Sequence, residues 1–172
     1  MGRILLFSIS SKNGLNLLHT VDTPGILDQK WCHKMIDGLS LLGITNSEGS
    51  VAVYKLCYVS DSNITLVHVC SLDVRTRDVD ELLILSLDWS TGKCDVSSEP
   101  ELVCSDSGGS VHRLKYQNGS LTLISSWKAH GFEAWISAFY YSDPHITFTG
   151  TCTFFNSYFM KVVFKCSVTK RF

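Results

Sequence analysis

The chain has three prolines in 172 residues, no long heptad pattern, and no apolar run near the roughly 20 residues that a membrane span needs. A net charge of −1 leaves no basic field for nucleic acid, so neither a direct nucleic-acid partner nor a membrane partner is expected. No Cys-x-x-Cys pair occurs among Cys32, Cys57, Cys70, Cys94, Cys104, Cys152 and Cys166, and several of them lie inside strand-like runs, as small buried hydrophobes do. A reduced, cytoplasmic setting fits better than a disulfide framework. The apolar opening, Ile4-Leu-Leu-Phe7, is too short for a secretory signal core, and Leu6 stands where a myristoylation motif has Ser or Thr. Without a signal, Asn63-Ile-Thr65 and Asn118-Gly-Ser120 read as chance matches to the glycosylation pattern.

Catalytic signatures are missing too. The sequence holds no Gly-x-Ser-x-Gly elbow, no Walker loop, no Gly-x-Gly-x-x-Gly and no His-Glu-x-x-His. Histidines 19, 33, 68, 112, 130 and 145 are scattered without ligand spacing, so no metal and no cofactor are expected. Ser105-Asp-Ser-Gly-Gly-Ser110 resembles a phosphate loop, but it precedes a strand-like run rather than a helix and reads as a tight turn.

What is present is globular material, 45% hydrophobic and 18% charged, long enough for one domain with a core. Short β-rich runs alternate with Gly, Asn, Asp and Ser, and the runs repeat. Ile26-Leu-Asp-Gln-Lys-Trp31 matches Ile84-Leu-Ser-Leu-Asp-Trp89. Leu41–Thr45 matches Glu101–Ser105, the turn Asn46–Ser50 matches Asp106–Ser110, Val51–Lys55 matches Val111–Lys115, and Ile64–Val69 matches Leu121–Ser125. The two tryptophans are 58 residues apart, longer than a bare propeller repeat of about 40–45. The excess falls in the loops Asp73–Glu81 and Gly92–Pro100, where insertion is tolerated.

Four antiparallel strands per unit with a glycine turn between the second and third describe a propeller blade. The expected fold is all-β: a partial WD40-type β-propeller with an incomplete ring. Phe132, Trp135, Ile136 and Phe139 also fit a helical stripe, but the repeat makes Ala134–Phe139 the inner strand of a third blade. Trp127–Glu133 is then the connection into that blade, and His145–Gly150 begins its second strand. Arg3–Ser10 and Leu15–Thr20 read as the last two strands of a preceding blade. Blade junctions fall near residues 24, 82 and 133. Residues 1–150 form the repeat region. Residues 151–172 form a basic, Phe-rich tail carrying +4, against −5 for the rest, and no third strand is expected there. An unclosed ring exposes strand edges, so the isolated chain is expected to be marginally stable.

Candidate functional residues cluster at the third junction. His130 follows Ala129 just before an inner strand. There it either satisfies a buried polar group inside the blade or serves as a base. Glu133 stands at the channel rim, as a solvated carboxylate or an assisting one. Trp127 and Trp135 offer either core area or a π-face. Asp88 is either a channel-facing acid or a solvated strand residue.

Three segments carry a resemblance: Leu82-Leu-Ile-Leu-Ser-Leu-Asp-Trp-Ser-Thr-Gly-Lys93, Ser105-Asp-Ser-Gly-Gly-Ser-Val-His-Arg-Leu114, and Ser126-Trp-Lys-Ala-His-Gly-Phe-Glu-Ala-Trp-Ile-Ser-Ala-Phe139. Together with Ile26-Leu-Asp-Gln-Lys-Trp-Cys-His33, they resemble the WD-repeat diphthine methyl ester hydrolases, a family of the diphthamide pathway, over roughly residues 3–150. The chain departs after Gly150, where the family continues with Gly-Asp-Asp-Gly and further blades.

The resemblance implies a seven-bladed propeller that removes the methyl ester from methylated diphthine on elongation factor 2, without a cofactor. On that expectation His130 is the general base and Glu133 its orienting carboxylate. Trp127 or Trp135 then offers a face to the substrate's trimethylammonium group. A non-catalytic scaffold that recruits protein partners, or an unstable truncated form, is the alternative.

Overall fold

The computed structural model describes residues 1–10, 14–60, 63–75, 81–92, 100–155 and 159–168, with side chains up to residue 152 apart from Ser10. Parts of both insertion loops, residues 76–80 and 93–99, and the tail side chains including Lys161, Lys165, Lys170 and Arg171 lie outside the described residues.

Every regular element among the described residues is a strand. A hairpin of β1 (Gly2–Ser10) and β2 (Gly14–Thr23) comes first. A four-stranded sheet follows: β3 (Ile26–Trp31), β4 (Leu41–Asn46), β5 (Ser50–Ser60) and β6 (Asn63–Asp73). The next four-stranded sheet has β7 (Ile84–Trp89), β8 (Glu101–Asp106), β9 (Ser110–Gln117) and β10 (Ser120–Lys128). Last come β11 (Ala134–Tyr140), β12 (Asp143–Phe155) and β13 (Phe159–Val168). Each strand pairs antiparallel with the next within its sheet. The first strands of successive sheets lie side by side, β3 against β7 and β7 against β11. These are propeller blades in series with no closed ring, as the repeat implied.

The turn chemistry explains why both complete blades form. In the first, Asn46 Oδ1 accepts the N–H groups of Glu48 (3.0 Å) and Ser50 (3.1 Å). In the second, Asp106 Oδ1 accepts the Ser110 N–H (2.7 Å). Each turn closes on a glycine in the left-handed region, Gly49 (φ 76°) and Gly109 (φ 83°), where a side chain is strained. The chain after each outer strand then returns to that glycine. Val74 N–H donates to the Gly49 carbonyl (3.0 Å), and Ala129 N–H donates to the Gly109 carbonyl (3.0 Å).

Burial follows strand alternation and fills the spaces between sheets. Ile4, Leu42, Ile44, Tyr54 and Leu66 pack between the first hairpin and the first complete blade. Leu41, Val53, Leu87, Trp89, Leu102 and Leu114 pack between the two complete blades. Val103, Val111, Ala129 and Phe139 pack between the second blade and the third. Gly43 makes room for the fully buried Trp89: a Cβ there would sit 2.9 Å from Leu87 Cδ1 and 3.2 Å from the indole.

Side chains also stitch neighbouring inner strands at one repeated step. Asp28 Oδ2 accepts the Leu87 N–H (2.9 Å), and Ser86 Oγ, at the equivalent position, accepts the Ser137 N–H (3.1 Å). Trp89 Nε1 donates to the Lys30 carbonyl (2.9 Å).

Two sequence expectations change. β10 runs through Trp127 and Lys128, paired with Val111 and Ser110, so the connection into the third blade is 129–133 rather than Trp127–Glu133. A third strand does follow Gly150: β12 continues to Phe155, and β13 pairs with it from Ile146↔Val168 to Phe155↔Phe159. The Phe, Val and Thr content of that stretch favours a pleated backbone, a bias that overrides the missing turn glycine.

Candidate functional site

A cleft of about 380 Å³ opens where the turn after β8 meets the end of β10 and the segment leaving β6. Val74, Leu82 and Trp127 form its apolar side, and Asp106, His112 and Ser126 its polar side. Gly108 and Lys128 also border it.

The polar side is a hydrogen-bonded chain. Asp106 is held by the Ser110 N–H through Oδ1, which leaves Oδ2 for His112 Nε2 at 2.8 Å. A carboxylate only accepts, so in the neutral imidazole Nε2 carries the proton and Nδ1 is the acceptor. The Ser126 hydroxyl donates to that Nδ1 at 2.8 Å. Asp106 and His112 are buried, whereas Ser126 is exposed on the outermost strand of its blade. The strand register explains the meeting, since His112 on β9 and Ser126 on β10 are direct cross-strand partners.

Two neighbours fill out the electrostatics. Lys128 donates from Nζ to the Gly108 carbonyl at the rim. The buried Cys104 thiol is pushed up, first by burial and then by the charge of Asp106, which makes it a poor nucleophile. The Trp127 indole N–H is shielded from solvent and has no acceptor among the described residues.

The residues singled out from sequence are placed as follows. Trp127 lines the cleft; His130, Glu133 and Trp135 do not. His130 is 4% exposed, with Nε2 2.9 Å from Thr149 Oγ1, and its N–H donates to the Gly109 carbonyl at 2.9 Å. It thereby ties the third blade to the turn of the second. Glu133 is exposed, and its carbonyl accepts from the Thr151 hydroxyl at 2.6 Å. Trp135 is 54% exposed and is therefore not a core residue.

Asp88 fits neither of its readings. It is fully buried, accepting the Phe139 N–H (2.9 Å) and the Tyr141 hydroxyl (3.2 Å). Burial and then the Asp88 carboxylate raise the Tyr141 phenol above its usual range. Sequence reasoning missed His112 and Ser126. The repeat in the sequence aligns His112 with Ala52, but only the strand register sets Ser126 in the place of Ser71.

No family model matches the chain. Curated relatives do. It is 39% identical over 157 residues to a mouse protein named diphthine methyltransferase, covering 87% of this chain and 32% of that one. The human protein of the same name is 38% identical, with 87% and 34% covered.

The chain is homologous to the diphthine methyltransferases.

A homolog of diphthine methyltransferase from Dictyostelium discoideum is 34% identical over 128 residues. The chain spans about a third of the length of these diphthine methyltransferases. Among solved structures, two of Sqt1 from Chaetomium thermophilum superpose with TM-scores of 0.63 and 0.60 at 15% and 19% identity. Each covers 87% of this chain and about a third of the Sqt1 chain, and the likeness concerns the fold.

Among the described residues, no group of three or more His, Cys, Asp or Glu is placed to hold a metal ion, and no helix is long and apolar enough to cross a membrane.

Proposed function

We propose that the chain carries part of an esterase that removes the methyl ester of methylated diphthine on elongation factor 2, giving diphthine and methanol in the cytoplasm. The observation that carries this reading is the coincidence of homology to diphthine methyltransferases with a cleft holding a serine, a histidine and a carboxylate in hydrogen-bonded series. Ester hydrolysis needs an activated nucleophile, a proton acceptor and donors for the developing oxyanion, and calls for no cofactor. Trp127 supports the substrate assignment, because an aromatic face attracts a trimethylammonium group by about 0.5–2 kcal/mol.

In this reading His130 positions the junction between the second and third blades rather than acting as the base. Its burial and its contact with Thr149 favour that role. Exposed Glu133 and Trp135 then belong to the surface that meets the protein substrate.

The test incubates the purified chain with elongation factor 2 bearing methylated diphthine and follows the substrate peptide by mass. Loss of the methyl group supports the esterase. Stable binding without that loss supports a scaffold, the second reading. One observation favours the scaffold: the outer face of the β1–β2 hairpin exposes Leu5, Phe7, Ile9, Leu15 and Leu17 together.

A further inference from the structure

We infer that Ser126 is the nucleophile of the cleft, His112 its general base, Asp106 the carboxylate that orients the imidazole, and Lys128 the donor to the oxyanion. The inference rests on the ester-hydrolysis reading and goes beyond it by assigning the chemistry to atoms.

Three observations carry it. The hydrogen bonds run in the order an acyl-transfer triad requires, from exposed hydroxyl to buried imidazole to buried carboxylate, with the ring nitrogens in the reverse of the commoner arrangement. The serine borders a cleft of about 380 Å³, so its hydroxyl meets what enters there. The preceding blade provides the third: it builds the same turn and strand pairing with Asn46, Ala52 and Ser71 where the second has Asp106, His112 and Ser126. Folding a blade of this kind does not require the histidine or the carboxylate.

The steps balance. Ser126 Oγ attacks the ester carbonyl carbon as its proton passes to His112 Nδ1. The carbonyl π-pair moves onto oxygen, beside the Lys128 ammonium. An ammonium has three N–H donors, and the Gly108 carbonyl takes one of them. Collapse expels methoxide, which takes the proton from imidazolium and leaves as methanol, with the acyl group on Ser126. Water then attacks this ester, giving its proton to Nδ1. The second collapse returns that proton to Ser126 and frees the carboxylic acid, which ionises.

The test treats the folded chain with a fluorophosphonate, which phosphonylates an activated serine with loss of fluoride, and maps the adduct by peptide mass. A single adduct on Ser126 is expected. S126A removes it, D106N slows its formation roughly 10²–10⁴-fold, and S71A leaves it unchanged. No adduct, an adduct elsewhere, or equal labelling of S126A overturns the assignment. Ser126 is exposed, so S126A decides the matter even where D106N loosens the turn, and circular dichroism verifies its fold. Labelling at Ser126 without methyl release from methylated diphthine sinks the substrate reading and leaves the triad. Methyl release that survives S126A does the reverse.

Discussion

The two complete blades share a skeleton and differ in what they do with it. Each has an Asx turn closed by a left-handed glycine, a third strand beginning Ser-Val, and an outer strand whose following residue bonds back to the turn glycine. On that common frame the first blade places Asn46, Ala52, Ser71 and Asp73, and the second places Asp106, His112, Ser126 and Lys128. The first set is sufficient for structure. The second adds a proton acceptor, an orienting charge and a cation beside an open cleft, so the difference between the blades separates what the fold needs from what chemistry needs.

The largest effect expected from breaking the comparison lies in the core. Trp31 and Trp89 occupy the same repeat position, yet Trp89 is fully buried and Trp31 is 44% exposed. W89A should cost about 3–5 kcal/mol in urea unfolding, and W31A about 1 or less. Equal losses would mean that the inter-blade packing is misassigned.

The turn glycines come next. A Cβ on Gly109 collides with the backbone carbonyls of His130 and Phe132, whereas one on Gly49 meets only the flexible Arg75 side chain. G109A should therefore lose about 2–3 kcal/mol and G49A about 1, read from the same unfolding curves.

A sharper trial turns the second blade into a copy of the first. The double variant D106N/H112A should lose about 1–2 kcal/mol of stability and keep a native circular dichroism spectrum, while fluorophosphonate labelling at Ser126 disappears. Global unfolding of that variant would show that the network is structural. The smallest effect concerns the open hairpin face. I9K, at a position 86% exposed, should change stability by no more than about 0.5 kcal/mol and reduce light scattering from self-association.

Much of the fold was legible because the repeat supplies its own evidence. Ile26–Trp31 and Ile84–Trp89 were read at their observed ends, since alternation, a terminal tryptophan and a following loop all agree. β13 was not, because its blade lacks the glycine turn that marked the other two. The end of β10 was misplaced because Trp-Lys-Ala-His-Gly reads as loop chemistry, although its cross-strand bonds continue to Lys128.

The site was harder. His130 and Glu133 drew attention through proximity in sequence, and the backbone then buries one and exposes the other. Asp106, His112 and Ser126 are separated by 6 and 14 residues and match no linear motif. Only the β9–β10 register, read beside the alanine of the preceding blade, brings them together.

The most direct measurement is methyl release from elongation factor 2 carrying methylated diphthine, compared between the S126A and S71A variants of the folded chain. The account predicts that S71A releases methanol at the parent rate and that S126A falls on the order of 10³-fold or more. Equal rates in the two variants, or no release from the parent chain, would contradict it.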